Sequence, residues 1–202
     1  MKKYFELLPG LCVVSLTLFL AGCGDFHELP PPPPIENEEE IITDVILTFT
    51  PDGGSVPVTA TAQDPDGEGP QDLEITRDIM LSPNTAYTLT IDLQNSIAGE
   101  SITEEVEAEA DEHLFFFEWT VGIFGDPPGN GNVDNRNDPV NYDDQDEYGL
   151  PLGLSTSWET GSAAMGVFTV ILKHQPDDIK TAASTANDGE TDVNLTWDIT
   201  VQ

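Results

Sequence analysis

Apolar and polar residues alternate along most of the chain beyond residue 40. Val193, Leu195, Trp197, Ile199 and Val201 are interleaved with Asn194, Thr196, Asp198 and Thr200, the period of a strand with one apolar and one polar face. Tyr87, Leu89, Ile91 and Leu93 alternate with Thr88, Thr90 and Asp92 in the same way. Val45–Thr50 and Val56–Ala62 flank Pro51-Asp52-Gly53-Gly54, and this spacing predicts a hairpin. Further strands are predicted over Leu73–Leu81, Leu114–Phe124, Val140–Asp143, Leu152–Trp158 and Val167–His174. About eight or nine short strands, separated by Gly/Pro/Asn/Asp clusters and without a long amphipathic helix, predict an all-β fold. The architecture expected is an antiparallel, immunoglobulin-like β-sandwich, with a closed β-barrel as the alternative.

The first 22 residues follow a different pattern. Lys2 and Lys3 precede an apolar run from Leu11 to Gly22, too short to span a bilayer and flanked as a secretory signal is. Leu20-Ala21-Gly22-Cys23 places small residues before a cysteine, the mark of a lipoprotein signal. Cleavage before Cys23 would leave that residue acylated and the protein tethered to a membrane, stably so with several chains. Residues 23–40 then read as a spacer: Pro30–Pro34 is stiff in polyproline II, and Glu36-Asn37-Glu38-Glu39-Glu40 follows. His27 lies in this tether and takes no role. Residues 41–202 are of a length for one domain with its own core. With Cys12 removed and Cys23 acylated, that domain has no disulfide, thiolate nucleophile or cysteine metal site.

Charge narrows the partners. The chain carries 6 Lys and Arg against 38 Asp and Glu, net −32. Beyond residue 22 the positive residues are Arg77, Arg136, Lys173 and Lys180. Such a surface repels phosphate backbones and anionic headgroups, so nucleic acid is excluded as a partner and the membrane is reached through the lipid anchor. It could instead collect cations. No Walker A motif, nucleophile elbow or His-Glu-x-x-His occurs, and no enzymatic activity is expected.

Two acidic loops carry a calcium-like pattern. Asp64, Asp66, Glu68 and Asp72 surround Gly67, and Asp144 and Asp146 run into Gly149. Carboxylates at alternate positions around a sharp turn suit an oxygen shell for calcium. Neither loop has the bidentate Glu that ends an EF-hand, and Asp and Gly are also the ordinary residues of solvated turns.

A second constellation suits a softer ion. Ile102–His113 is rich in Glu and leads into Leu114-Phe115-Phe116-Phe117. As a helix, this segment puts Glu105, Glu109, Glu112 and His113 on one face; as a strand, Glu105, Glu107, Glu109, Asp111 and His113. Periodicity leaves both open. By strand parity His113 sides with Phe115, Phe117 and Trp119, and His174 with Phe168, Val170 and Leu172. One histidine opens its strand and the other closes its own, so antiparallel pairing would bring both to one end of the sandwich. His113 and His174, with Glu109 and Glu112, are therefore the candidate ligands for zinc or a related transition metal, or for haem iron.

Glu36–Glu40, Ile102–Phe117, Asp143–Leu154 and Lys173-His174-Gln175-Pro176 together resemble a family of small Bacteroidota cell-envelope lipoproteins. The resemblance implies an outer-membrane lipoprotein working beside a TonB-dependent transporter. Members of that family sometimes carry the label "type 1 periplasmic binding fold", which needs two lobes of βα repeats; this chain has neither the length nor the helices for them. The function expected is a non-enzymatic, membrane-anchored protein that binds a cation, a metal or a metal-bearing ligand. The alternative is a structural or adhesive surface module with calcium-stabilised acidic loops.

Overall fold

The computed structural model describes residues 40–67, 72–176 and 179–202. The signal segment, Cys23, His27, the proline run and Glu68 lie outside the described residues.

The domain is an all-β sandwich of two sheets. Its strands are β1 (Asp44–Pro51), β2 (Val58–Gln63), β3 (Glu74–Arg77), β4 (Ile79–Leu81), β5 (Ala86–Asn95), β6 (Glu100–Ser101), β7 (His113–Trp119), β8 (Phe124–Asp126), β9 (Ser155–Thr160), β10 (Ala164–His174) and β11 (Glu190–Val201). One sheet runs β3-β2-β1-β5-β9-β8, with β6 on β5; the other runs β4-β11-β10-β7. The sheets are antiparallel except that β4 lies parallel to β11.

Among the described residues eleven strands form where about eight or nine were expected: the short β6 was not expected, and the chain changes sheet inside two runs that read as single strands. Leu73–Leu81 breaks at the exposed Asp78, β3 pairing β2 in one sheet and β4 pairing β11 in the other. Leu114–Phe124 breaks at the turn 120–123, where Ile123 N–H bonds Thr120 carbonyl and Gly122 takes φ +91°. A side-chain alternation says which face is apolar and nothing about which sheet receives it. Val140–Asp143 forms no strand and contributes one bridge, Tyr142 to Thr156. Its role is different: the Tyr142 hydroxyl donates to Phe115 carbonyl at 2.6 Å and accepts from Asn132 Nδ2 at 2.9 Å. Phe115 N–H bonds Leu152 carbonyl, and Asn132 takes Phe117 N–H on its Oδ1. The loop after β8 thus covers the free edge of β7.

The core lies between the sheets and is built from the inward positions of the alternating strands. Phe117, Trp119, Phe124, Trp158 and Phe168 form its aromatic centre, with Trp119 and Trp158 edge to face at 5.0 Å and Trp158 and Phe168 at 5.3 Å. A smaller cluster, Leu114, Phe116 and Ile171, packs on the outer face of β7 and β10. The segment left open by periodicity divides: Ile102–Ala108 is a helix, α1, and the strand begins at His113. Ser101 caps α1 by accepting Glu104 N–H, Glu104 and Glu105 sit in its positively polarised first turn, and Ile102 and Val106, four apart, bury against the core.

Candidate metal centre

The centre lies where β7 begins and β10 ends. The β7–β10 register runs from Phe168 opposite Trp119 to His174 opposite His113. Parity turns both rings inward, His113 fully buried and His174 2% exposed. As a directly opposed cross-strand pair, the imidazoles stack with centroids 4.6 Å apart and planes 9° from parallel.

The surrounding carboxylates come from three places. After α1, Glu109 is the cap residue, and its carbonyl lies 3.1 Å from His113 Nδ1. A carbonyl can only accept, so Nδ1 carries a proton, and Nε2 presents a lone pair when the ring is neutral. That nitrogen faces Glu40 Oε1 at 3.3 Å. The contact does not meet hydrogen-bond geometry, and both His113 Nε2 and Glu40 Oε2 are buried without a hydrogen-bond partner. Glu112, on the turn before β7, approaches His174 Nε2 with its Oε2 at 3.3 Å. One ligand-capable atom from each of Glu40, Glu109, His113 and His174 can be chosen so that no pair is more than 4.8 Å apart.

Asp192 faces the same region from β11. The β10–β11 register slips between Leu172 and Lys173, passing from Val193 opposite Leu172 to Thr191 opposite Lys173. Asp192 is the extra residue, re-aimed by the bulge. Its Oδ2 is buried without a hydrogen-bond partner. Burial, then the nearby Glu40 carboxylate, pushes its pKa up to about 6 against the pull of His113, His174 and Lys173. At His113 burial pulls the pKa down, but Glu40, the Glu109 carbonyl and Asp192 more than offset it and the net shift is upward. Burial would raise Glu40; His113, its own backbone N–H and His174 together outweigh it and hold the carboxyl below its usual range.

The calcium-like loops are differently arranged. Asp64 Oδ1 accepts the N–H groups of Asp66 and Gly67, closing its own turn, and Asp72 is exposed. Both oxygens of Asp144 accept backbone N–H groups, from Gly153 at 2.6 Å and Ser155 at 2.9 Å. Asp146 accepts from Tyr148 and Leu150 on Oδ1 and pairs with Lys180 Nζ at 2.9 Å on Oδ2. The Lys180 ammonium also donates to Ala110 carbonyl at 2.5 Å. A lysine thus stands beside this loop in the place expected for an ion, and among the described residues neither loop gathers three ligand groups.

Sequence reasoning found His113, His174, Glu109 and Glu112, and the fold gathers all four, with Glu112 against His174 and outside the tightest group. It missed Glu40, read as tether, although its side chain is only 6% exposed against His113. Asp192 and Lys180 were missed as well. The scarcity of positive residues was the one signal that could have marked Lys180.

Comparison with protein-family models, with curated proteins and with solved structures returns no match. Among the described residues no helix is long and apolar enough to cross a membrane.

Proposed function

We propose that this chain is a lipid-anchored cell-envelope protein that binds a divalent transition-metal ion between His113 and His174, without enzymatic activity of its own. The observation that carries the reading is His113 Nε2: a fully buried ring nitrogen facing a carboxylate at 3.3 Å, outside hydrogen-bond geometry. Two acceptors face each other at that distance only if something positive lies between or upon them. The separation equals the edge of a zinc tetrahedron, about 3.3 Å for bonds of ~2.0 Å. Imidazole and carboxylate without thiolate suit zinc and its neighbours in the first transition row.

A bare ion fits better than haem. Axial histidines must aim their nitrogens at iron from opposite sides, whereas these rings lie face to face at 4.6 Å. Lone pairs lie in the ring plane, so parallel rings do not converge on one point; His113 is held at Nδ1, and His174 is the ring that turns on loading. Glu112 then positions His174 from behind. Support for the alternative, a module with calcium-stabilised loops, is weaker because Asp144 and Asp146 already have donors.

The lipoprotein signal and the resemblance to Bacteroidota envelope lipoproteins support an outer-membrane location beside a TonB-dependent transporter, to which the ion or a metal-bearing ligand would pass. Elemental analysis of protein purified from its native envelope should find about one transition-metal ion per chain. In calorimetry on the full chain, zinc should bind wild type at least tenfold tighter than His113→Ala or His174→Ala, and His27→Ala should match wild type. Equal zinc affinity in all four proteins would reject the site.

A further inference from the structure

We infer that Glu40 is a ligand of this ion, so that metal loading fastens the first residues of the domain, next to the tether, onto the opposite sheet. The inference rests on the metal reading above and adds what the ion does to the chain around it.

The four groups that can converge come from three separate stretches of the sequence. Glu109 ends α1, His113 opens β7 and His174 closes β10. Glu40 is the first described residue and directly follows the acidic run Glu36–Glu39. It leads into Ile42 and Thr43, where the chain joins the sheet of β1: Thr43 N–H bonds Gln94 carbonyl at 2.9 Å. Thr43 is thus held by the β1–β5 sheet, and Ile42 is buried in the core. The Glu40 side chain reaches the other sheet, at His113 on β7. An ion bound by Glu40 and the two histidines therefore joins the leading segment to β7 and β10 across the open end of the sandwich.

The local chemistry makes that junction dependent on what occupies it. One Glu40 oxygen is buried without a hydrogen-bond partner and the other faces His113 Nε2, an acceptor whenever the ring is neutral. A buried carboxylate so placed is costly unless a cation joins it. With a divalent ion present, the same atoms become bonds that close a long loop of chain, and binding free energy becomes stability of the docked segment.

The test is hydrogen exchange of the full chain with and without zinc, read on a peptide covering residues 40–44 and, as reference, on β5. Zinc should slow exchange over 40–44 at least tenfold in wild type and leave the interior of β5 unchanged. In Glu40→Gln that protection should fall below twofold and zinc affinity should drop at least tenfold, while Glu39→Gln should behave as wild type. Near-ultraviolet circular dichroism from the buried tryptophans verifies folding of each variant, and Glu40→Ala should repeat the result. If Glu40→Gln binds zinc as tightly as wild type, or zinc protects 40–44 equally in both, the inference falls and the histidine site stands. If zinc fails to bind wild type, or binds the histidine variants equally, the metal reading falls and this inference with it.

Discussion

His113 and His174 face each other across adjacent strands with their rings stacked at 4.6 Å, buried at one end of the sandwich. Glu40 faces His113 at 3.3 Å and favours the charged form of that ring. In chelated buffer the proton on His113 stabilises the fold, because its pKa is higher folded than unfolded. That contribution is complete below about pH 6.5, the unfolded value, and is lost as pH rises through the folded value above it. Urea unfolding should therefore show stability falling with pH above 6.5. Glu40→Gln should flatten this slope; an unchanged slope would remove Glu40 as its cause.

Asp192 should give an opposite signature on mutation. Its pKa is raised from 3.8 to about 6, so the folded state holds a proton that the unfolded chain releases. The neutral carboxyl costs little at pH 4; the ionised one penalises folding as pH rises from 3.8, fully so above about 6. Asp192→Asn should raise the metal-free stability at pH 7.5 by between about 1 and 3 kcal/mol, and barely alter it at pH 4. Equal effects at both pH values would mean that the gain is not electrostatic.

The buried pair Lys180–Asp146 should be costly to break from one side. Lys180→Met leaves Asp146 Oδ2 buried without its ammonium and should destabilise by roughly 3–5 kcal/mol in urea unfolding. Lys180→Met with Asp146→Asn should recover part of that loss, since no lone charge remains. With the ammonium already there, millimolar calcium should raise the melting temperature of wild type no more than magnesium does.

Gly189 supports the centre from outside it. Its φ is +75°, and a Cβ built there would overlap the carbonyl of His174. Gly189→Ala should cost at least ~1 kcal/mol from the backbone conformation alone. It should also weaken zinc binding by shifting the end of β10. Loss of stability with zinc affinity unchanged would confine Gly189 to a structural role.

Much of this arrangement is already written in local pattern. Alternation in Val193–Val201 and Tyr87–Leu93 marks strands and their inward faces, since side chains along a strand alternate whatever the strand pairs with. The same parity puts His113 with Phe115 and His174 with Phe168, and so draws both histidines toward the core before any pairing is known. Ser101 followed by Glu104 carries the start of α1, although period alone left that segment undivided.

What only the tertiary structure decides are relations between distant segments. The register that sets His174 against His113, the bulge that turns Asp192 and the change of sheet at Asp78 depend on which strand lies alongside and how the two are aligned. Glu40 is one glutamate in an acidic run until the fold brings His113 beside it, and Lys180 is a solitary cation until Asp146 and Ala110 close around it. Periodicity is a property of a few consecutive residues. A centre gathered from residues 40, 109, 113 and 174 exists only once long-range packing has compensated the entropy of bringing them together.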